Sequence, residues 1–249
     1  MKEERMDTRM YDFSKMTKKD FGKFFDFSVL PKQTTEAELV KGCQDAIAYN
    51  CAAFYPNSNY WLPLTKELLK GSGVLAATTF DFPTGNATPY MKGKFAEEAV
   101  KLGAEAMDMV MNLGALKSGR IDDVKEELRL VKAAAGDDIL TKCILEVCYL
   151  TDDEIRQAAT LVAEAGFNYV KTASGQFEGP TMDQFLVMKN AVAGSNTKTK
   201  VAGVKFPRPQ NAYAFIMAGA DLIGTRAAIE ILDHLDMARE IGLVPKYEG

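Results

Sequence analysis

The residue types that could do covalent chemistry narrow the possibilities at once. The chain has one histidine, His234, and four cysteines without a C-x-x-C spacing. A histidine-based metal site or a Ser-His-Asp triad is therefore nearly excluded. Catalysis is left to Lys, Asp, Glu, Arg, Tyr or Cys side chains.

Charged residues stand inside short apolar runs, where strand alternation assigns them a face. In 106–112 the three methionines share one face, which is expected to pack under helices. Asp108 is therefore predicted on the opposite face, which points into the interior of a barrel. Lys171 shares its face with Tyr169 and Ala173. The same alternation in 201–205 turns Lys205 inward.

Two lysines in buried strands need an explanation, because a buried ammonium is costly unless it is paired or neutral. One interpretation pairs each of Lys171 and Lys205 with a carboxylate. The other makes one of them a Schiff-base amine. An ordinary lysine is neutral in only about 4 molecules in 10,000 at pH 7, but burial and a second cation lower its pKa. Asp108 would then transfer protons. An interior ion pair is also predicted between Lys142 and Glu146.

These side chains must be positioned by repeated strand–helix units. Successive runs from the second onward begin about 21 to 34 residues apart, which is roughly the length of a βα unit. The eight predicted strands lie near 24–28, 51–56, 74–82, 105–112, 139–147, 168–173, 200–206 and 221–225. Thr35, Thr151 and Thr181 begin capping boxes, and glycines such as Gly103 and Gly166 end helical stretches.

Alternating strands and helices predict a parallel sheet of the α/β class. Polar residues end most of the predicted strands, and a barrel gathers all such ends at one mouth, whereas an open sheet concentrates them at one switch point. We therefore predict a single (β/α)8 barrel at 24–242. A short N-terminal arm and helix (1–23) precede it, and a tail (243–249) follows it.

The amino-acid composition restricts the class of protein and the partners that it can have. The chain has 249 residues, 47% hydrophobic and 26% charged, with 30 basic and 34 acidic residues for a net charge of −4. These values are typical of a globular protein and argue against nucleic acid as the main partner. No apolar run reaches the length of a membrane span, and the charged N-terminus is unlike a secretory signal. We expect reduced thiols, a cytoplasmic location and no membrane partner.

Six segments of the chain are similar to one enzyme family. They are GAEAMDMVMNLGALKSGR (103–120), ILEVCYLTDDEI (144–155), NYVKTASGQ (168–176), LLKGSGV (68–74), FDFPTG (80–85) and AGADLIGT (218–225). From about residue 24 to 232 the chain resembles deoxyribose-phosphate aldolases. The resemblance implies a (β/α)8 barrel and a class I aldolase that needs no metal and no cofactor. It also suggests a homo-oligomer.

The resemblance also implies roles for individual residues. Lys171 matches the Schiff-base lysine, Lys205 the second lysine that lowers its pKa, and Asp108 the proton-relay aspartate. The matching motifs also place Asn112, Thr172, Gly175, Gly224 and Thr225 among the expected substrate-binding residues. The implied reaction joins acetaldehyde to glyceraldehyde 3-phosphate, or reverses that step, through an iminium on Lys171.

The chain departs from the family where phosphate is expected to bind. A glycine-rich turn usually follows the second lysine, but here Lys205 is followed by Phe-Pro-Arg-Pro-Gln, whose two prolines lack N–H donors. Where the family usually has Gly-x-Ser-Ser, this chain has Gly-Thr-Arg-Ala at 224–227. Where the family has Asp-His-Thr near the first strand, this chain has Asp-Phe-Ser at 26–28. Arg208 and Arg226 could replace the backbone donors with a clamp for phosphate or carboxylate. Alternatively, each makes a surface ion pair.

Other functions therefore stay open. The chain could be a class I aldolase for a different phosphorylated or carboxylated keto-sugar. It could be a catalytically silent barrel that binds sugar phosphates. A third possibility is a lyase or isomerase that uses Glu146 or Asp81 without a Schiff base.

The expected partners are small phosphorylated or anionic sugars and aldehydes. In addition, Tyr247 in the C-terminal tail could reach the barrel mouth.

Overall fold

The computed structural model describes residues 11–249, and it shows a closed barrel of eight parallel strands. The strands neighbour one another in chain order, and the first also pairs with the last. They are Phe25–Ser28 (β1), Ala53–Tyr55 (β2), Leu75–Phe80 (β3), Ala106–Val110 (β4), Leu140–Ile144 (β5), Tyr169–Lys171 (β6), Lys198–Ala202 (β7) and Leu222–Thr225 (β8). The predicted (β/α)8 fold is confirmed.

Helices follow the strands and cover the outside of the barrel. They are Lys18–Gly22 (α1), Glu36–Ala48 (α2), Leu62–Leu68 (α3), Pro89–Lys101 (α4), Leu113–Lys117 (α5), Ile121–Ala135 (α6), Asp152–Glu164 (α7), Met182–Ala191 (α8), Arg208–Met217 (α9), Ala228–Asp233 (α10) and Leu235–Glu240 (α11). Short 3-10 turns occur at Phe13–Lys15, Asn59–Trp61 and Val147–Tyr149. Among the described residues, no helix is long and apolar enough to cross a membrane.

The helix boundaries have local causes in the sequence. The predicted capping boxes at Thr35, Thr151 and Thr181 all form, with each threonine oxygen accepting a hydrogen bond from the N3 backbone. A fourth, at Thr17, begins α1. Each satisfies backbone donors that a helix start leaves open.

Strand alternation separates an outer apolar layer from a polar interior. Met107 and Met109 of β4 pack in the core between the sheet and the helices, while Asp108 is fully buried inside the barrel. One end of the barrel interior is apolar and built from small residues such as Ala53, Ala77 and Ala106. The charged residues of the interior therefore lie on the side of this apolar layer that is nearer to the carboxyl ends of the strands.

The interior face of β7 differs from the prediction. The strand ends at Ala202, and Gly203 follows with φ 74, a left-handed conformation that breaks the alternation. Within the strand Lys200 is the inward lysine, 1% exposed, while Val201 packs in the outer core. The prediction that Lys205 shares the inner face of this strand is wrong, because Lys205 lies beyond the turn.

The C-terminal tail lies against the N-terminal segment. The Glu248 amide donates to the Ser14 carbonyl at 2.8 Å, and the Tyr247 ring lies 5.2 Å from the guanidinium of Arg239. Tyr247 is not among the residues that line the barrel cavity. In this structure the tail therefore does not bring Tyr247 to the barrel mouth. Residues 1–10 of the predicted arm lie outside the described part of the chain.

Candidate active site

A cavity of about 260 Å³ opens at the carboxyl ends of the strands, as in other barrels of this class. Ser28, Lys171, Ala202 and Thr225 end four of the strands and all reach it. The cavity is lined by residues 26, 28, 30, 55, 79, 82, 108, 171, 174–177, 179, 200, 202–205, 208 and 224–226. Charged groups are concentrated on its floor.

Two ammonium groups share one oxygen of Asp108. Its Oδ2 accepts from Lys171 Nζ at 2.7 Å and from Lys200 Nζ at 2.8 Å. Asp108 is fully buried, and Lys171 is 7% exposed. The cross-strand register explains the contact, because Lys171 of β6 pairs directly with Lys200 of β7. The structure thus brings Lys171 and Asp108 together, as predicted, with Lys200 as the neighbouring cation.

A second carboxylate continues the cluster deeper in the barrel. Asp26 Oδ2 lies 2.7 Å from Lys200 Nζ and 2.6 Å from Lys142 Nζ. The Tyr55 hydroxyl donates to Asp108 Oδ1 at 2.7 Å, and its ring lies 4.4 Å from Lys200 Nζ. Three ammonium groups therefore face two carboxylates. The fully ionised cluster carries one excess positive charge.

That imbalance sets the direction of the pKa shifts. Burial lowers the pKa of Lys171 to about 8, with Lys200 contributing in the same direction against the attraction of Asp108. The neighbouring ammonium groups hold the pKa of Asp108 far below its usual range despite burial. The pKa of Lys200 is raised, because its two carboxylate partners outweigh the effect of burial. Lys171, with one carboxylate partner, is thus easier to deprotonate than Lys200.

Lys205 lies away from this cluster. It is exposed and its Nζ pairs with Glu178 Oε1 at 2.8 Å on the rim of the cavity. The predicted position beside Lys171 is occupied by Lys200 instead. The alternation of Lys198, Lys200 and Ala202 within β7 is the signal that identifies Lys200 as the inward lysine. Gly203 lies outside the strand, so that alternation does not extend to Lys205.

The predicted ion pair between Lys142 and Glu146 does not form. Lys142 pairs with Asp26 across the barrel, whereas Glu146 follows β5 in a left-handed conformation, φ 48. Both oxygens of Glu146 accept from the Ser174 amide, at 3.0 and 3.1 Å. Glu146 therefore ties the loop after β5 to the loop after β6. It is not among the cavity-lining residues.

Asn112 and Thr172, which the sequence predicts to bind substrate, make hydrogen bonds to the backbone outside the cavity. The Asn112 side chain accepts from the Ala115 amide and caps α5, and the Thr172 hydroxyl donates to the Ala202 carbonyl at 3.2 Å. Neither residue lines the cavity. The Asn112 amide also donates to Glu127, which pairs with the buried Lys92 at 2.6 Å and holds α6 against α4.

The remaining predicted binding residues lie at the cavity, in the loops after β6 and β8, at the end of β8 and at the start of α9. Gly175, Gly224 and Thr225 line it, as do Arg208 and Arg226. Within residues 11–249 neither arginine forms an ion pair, although the Arg208 guanidinium lies over the Phe206 ring at 4.1 Å. This observation disfavours the surface-ion-pair alternative. The rim next to β7 and β8 is therefore cationic.

Backbone contact holds the loops after β6 and β7 together. A Cβ atom at Gly179 would lie 1.7 Å from the Gly203 carbonyl oxygen, so only glycine fits there. The two loops form one wall of the cavity beside Lys171. Among the described residues, no group of three or more His, Cys, Asp or Glu side chains is arranged to hold a metal ion.

Comparisons with known proteins agree with this site. The model of the DeoC/LacD family of aldolases matches residues 17–239. The chain is 37% identical over 211 residues to deoxyribose-phosphate aldolase 1 of Mesoplasma florum, covering 84% of this chain and 94% of that protein. It is 38% identical to the deoxyribose-phosphate aldolase of Brevibacillus brevis, covering 86% and 95%.

Solved structures agree in fold. The aldolase QR15 superposes with a TM-score of 0.80 at 30% identity, covering 90% of this chain and 99% of that chain. The tetrameric deoxyribose phosphate aldolase of Aeropyrum pernix superposes with a TM-score of 0.79 at 23% identity, covering 88% and 92%. With the family model and curated relatives spanning most of its length, this chain belongs to the DeoC/LacD family of aldolases and is a carbon–carbon lyase.

Proposed function

We propose that Lys171 forms a Schiff base with the carbonyl carbon of a small anionic sugar. The observation that carries this assignment is the contact of Lys171 Nζ with Asp108, beside Lys200, at the floor of the cavity. With its pKa lowered to about 8, roughly one tenth of Lys171 is neutral at pH 7. That share is far above the share of an ordinary lysine, so the nucleophile is available.

In the cleavage direction, neutral Lys171 attacks the carbonyl carbon, and loss of water gives an iminium. The iminium withdraws electrons from the neighbouring α carbon. The bond between the α and β carbons therefore breaks as the hydroxyl on the β carbon loses its proton. The Asp108 carboxylate contacts Lys171 and takes up that proton, while Lys200 keeps its own. Reprotonation of the enamine and hydrolysis then release the second aldehyde and restore Lys171.

Lys200 takes the role that the sequence assigned to Lys205. Its cation repels a proton on Lys171, and its two carboxylate partners keep its own proton in place. Asp108 orients both ammonium groups, and the Tyr55 hydroxyl orients Asp108 in turn. The cluster can therefore keep Lys171 partly neutral while Lys200 stays charged.

The substrate that we propose resembles deoxyribose 5-phosphate, the substrate implied by the names of the curated relatives. Its anionic end would lie between Arg208 and Arg226, whose guanidinium groups suit phosphate or carboxylate. Pro207 before α9 and Pro209 in its first turn lack backbone N–H donors, so a different phosphorylated or carboxylated keto-sugar is the second candidate. The partners are thus small anionic sugars and aldehydes, and homo-oligomeric assembly and a cytoplasmic location stay predictions.

The alternative without a Schiff base has less support. Glu146 is occupied by the Ser174 amide, and Asp81 accepts from the Ala87 amide at 3.0 Å. Neither carboxylate lines the cavity. Lys171, by contrast, both lines the cavity and has the lowered pKa that nucleophilic catalysis needs.

The test is a coupled assay of Lys171→Ala with deoxyribose 5-phosphate and a panel of phosphorylated and carboxylated aldols. We expect turnover of the best substrate to fall at least about 1,000-fold, because the covalent route is lost. Lys94→Ala, which removes an exposed lysine on α4, is the control and should keep full activity. A Lys171→Ala protein that turns over any aldol at the wild-type rate would refute the assignment. A wild-type protein without activity on the whole panel would favour the silent barrel.

A further inference from the structure

Two oxygen atoms at the cavity have no hydrogen-bond partner among the described residues. They are Asp26 Oδ1 and Thr79 Oγ1, and both are buried atoms of residues that line the cavity. Asp26 is only 1% exposed, and its other oxygen is held by Lys142 and Lys200. Buried polar atoms in folded proteins are normally paired, so these two point to a polar group that enters the cavity.

Thr79 lies close to the reacting end of the site. It faces inward from β3, and its Cα pairs across the sheet with that of Asp108, the residue in contact with Lys171. In an eight-stranded barrel β3 lies opposite β7, and Arg208 follows β7. A carbonyl carbon bound at Lys171 therefore places the neighbouring carbon of the sugar on the side of the cavity that Asp108 and Thr79 share, while the anion is held near Arg208.

The two oxygens together match a hydroxyl group. Asp26 Oδ1, as part of an ionised carboxylate, can only accept a hydrogen bond, whereas the Thr79 hydroxyl can donate one. A single substrate hydroxyl can donate to the first and accept from the second. The methyl group of acetaldehyde, the donor implied by the family resemblance, would leave both oxygens unpaired, which costs binding energy.

We propose that Asp26 and Thr79 form a subsite for a hydroxyl group on the carbon next to the Schiff-base carbon. The donor half of the substrate is then an α-hydroxy carbonyl compound, and the cleaved sugar is not deoxygenated at that carbon. This inference rests on the proposed function, since it needs the carbonyl carbon to be bound at Lys171. It goes further by naming the substrate class.

The corresponding condensation balances with glycolaldehyde as donor. Lys171 and glycolaldehyde lose one water to give an iminium, and loss of a C2 proton gives the enamine. C2 then bonds to the carbonyl carbon of glyceraldehyde 3-phosphate, whose oxygen takes up a proton. Hydrolysis by one water releases a pentose 5-phosphate and restores the amine. The hydroxyl on C2 is conserved throughout and stays available to the subsite.

The experiment compares two pairs of donors that differ by one oxygen, with glyceraldehyde 3-phosphate as acceptor. Glycolaldehyde is compared with acetaldehyde, and hydroxyacetone with acetone, which distinguishes an aldose from a ketose product. We expect the wild-type kcat/KM to favour the hydroxylated donor in at least one pair. In Thr79→Val, which replaces the hydroxyl with a methyl group of similar size, that preference should fall about tenfold. Thr79→Ser keeps the hydroxyl and should keep the preference.

Each other outcome overturns the proposal. A preference unchanged in Thr79→Val, with both donors still used, would show that the hydroxyl is bound elsewhere. An equal loss of kcat/KM for both donors in Thr79→Val would show that Thr79 acts in folding or in a reaction step that both donors share. Borohydride reduction in the presence of each donor separates these results from failure of the proposed function. An adduct on Lys171 together with an unchanged preference refutes only the subsite, whereas no adduct with any donor refutes the Schiff base itself.

Discussion

Lys171 is one of three buried ammonium groups that share the carboxylates of Asp26 and Asp108. Such a cluster is neutral when one lysine gives up its proton, and Lys171 has fewer carboxylate contacts than Lys200. Its position at the cavity also exposes its nitrogen to a carbonyl compound. The unequal sharing of two carboxylates is thus the physical reason that one lysine becomes a nucleophile while its neighbour stays charged.

The first prediction at this scale concerns the pH dependence of catalysis. Protonated Lys171 cannot attack a carbonyl carbon, and its pKa is lowered to about 8. The logarithm of kcat/KM should therefore rise with a slope of about 1 up to roughly pH 8 and level off above it. The measurement is a pH–rate profile with the best aldol substrate. A rise that continues to pH 10, as for an ordinary lysine, would show that Lys171 is not perturbed.

The second prediction separates Lys200 from Lys205. Lys200→Met removes the cation that lowers the pKa of Lys171 and leaves Asp108 to hold Lys171 alone. The rise in kcat/KM should then move to higher pH by about 1 unit. Lys205→Met removes an exposed lysine paired with Glu178 and should leave the position of the rise unchanged. A shift in the Lys205 variant alone would support the assignment made from the sequence.

At the scale of elements, much of the barrel was predictable because strand alternation and helix caps are local signals. The capping boxes and the inward direction of Asp108 follow from residues within a few positions of each other. The outward position of Lys205 was not predictable in this way, since Gly203 ends β7 where an apolar run continues. The Lys142–Asp26 pair joins residues 116 apart in the sequence. No local pattern predicts such a contact.

The close contact of two loops gives a third prediction. Gly179→Ala would place a Cβ atom 1.7 Å from the Gly203 carbonyl oxygen, so the loops after β6 and β7 must separate. We expect a loss of about 1 to 3 kcal/mol in the free energy of unfolding and a higher KM, because Gly179 and Gly203 line the cavity. Urea unfolding and steady-state kinetics provide the two measurements.

The control is Gly114→Ala in α5, where a new Cβ would meet only Asn112 Oδ1 at 3.4 Å. This variant should have wild-type KM and equal or slightly higher stability, since alanine favours a helix. If Gly179→Ala behaves in the same way, the two loops do not need their close backbone contact.

At the scale of the whole molecule, net charge and local charge have opposite signs. The chain carries a net charge of −4, yet the cavity rim presents Arg208 and Arg226, and the fully ionised lysine–aspartate cluster at and below the floor carries one excess positive charge. The barrel makes this possible by gathering all strand ends at one mouth. A negatively charged protein can therefore attract an anionic substrate to one place on its surface.

The fourth prediction follows from this arrangement. Raising the ionic strength from 0.01 M to 0.15 M shortens the Debye length from about 30 Å to about 8 Å. The kcat/KM for a phosphorylated aldol should fall several-fold over this range. The matched aldol without phosphate should show little change, and equal changes for both would argue against a cationic anion site at the mouth.

The most direct test of the account is to trap the covalent intermediate and map it. The protein is incubated with deoxyribose 5-phosphate or the best aldol of the panel, reduced with borohydride, digested and analysed by mass spectrometry. The account predicts one stable adduct on the peptide that contains Lys171, and none in the Lys171→Ala variant. A principal adduct on Lys200, Lys205 or Lys142 would contradict it, as would full activity after borohydride treatment with substrate present.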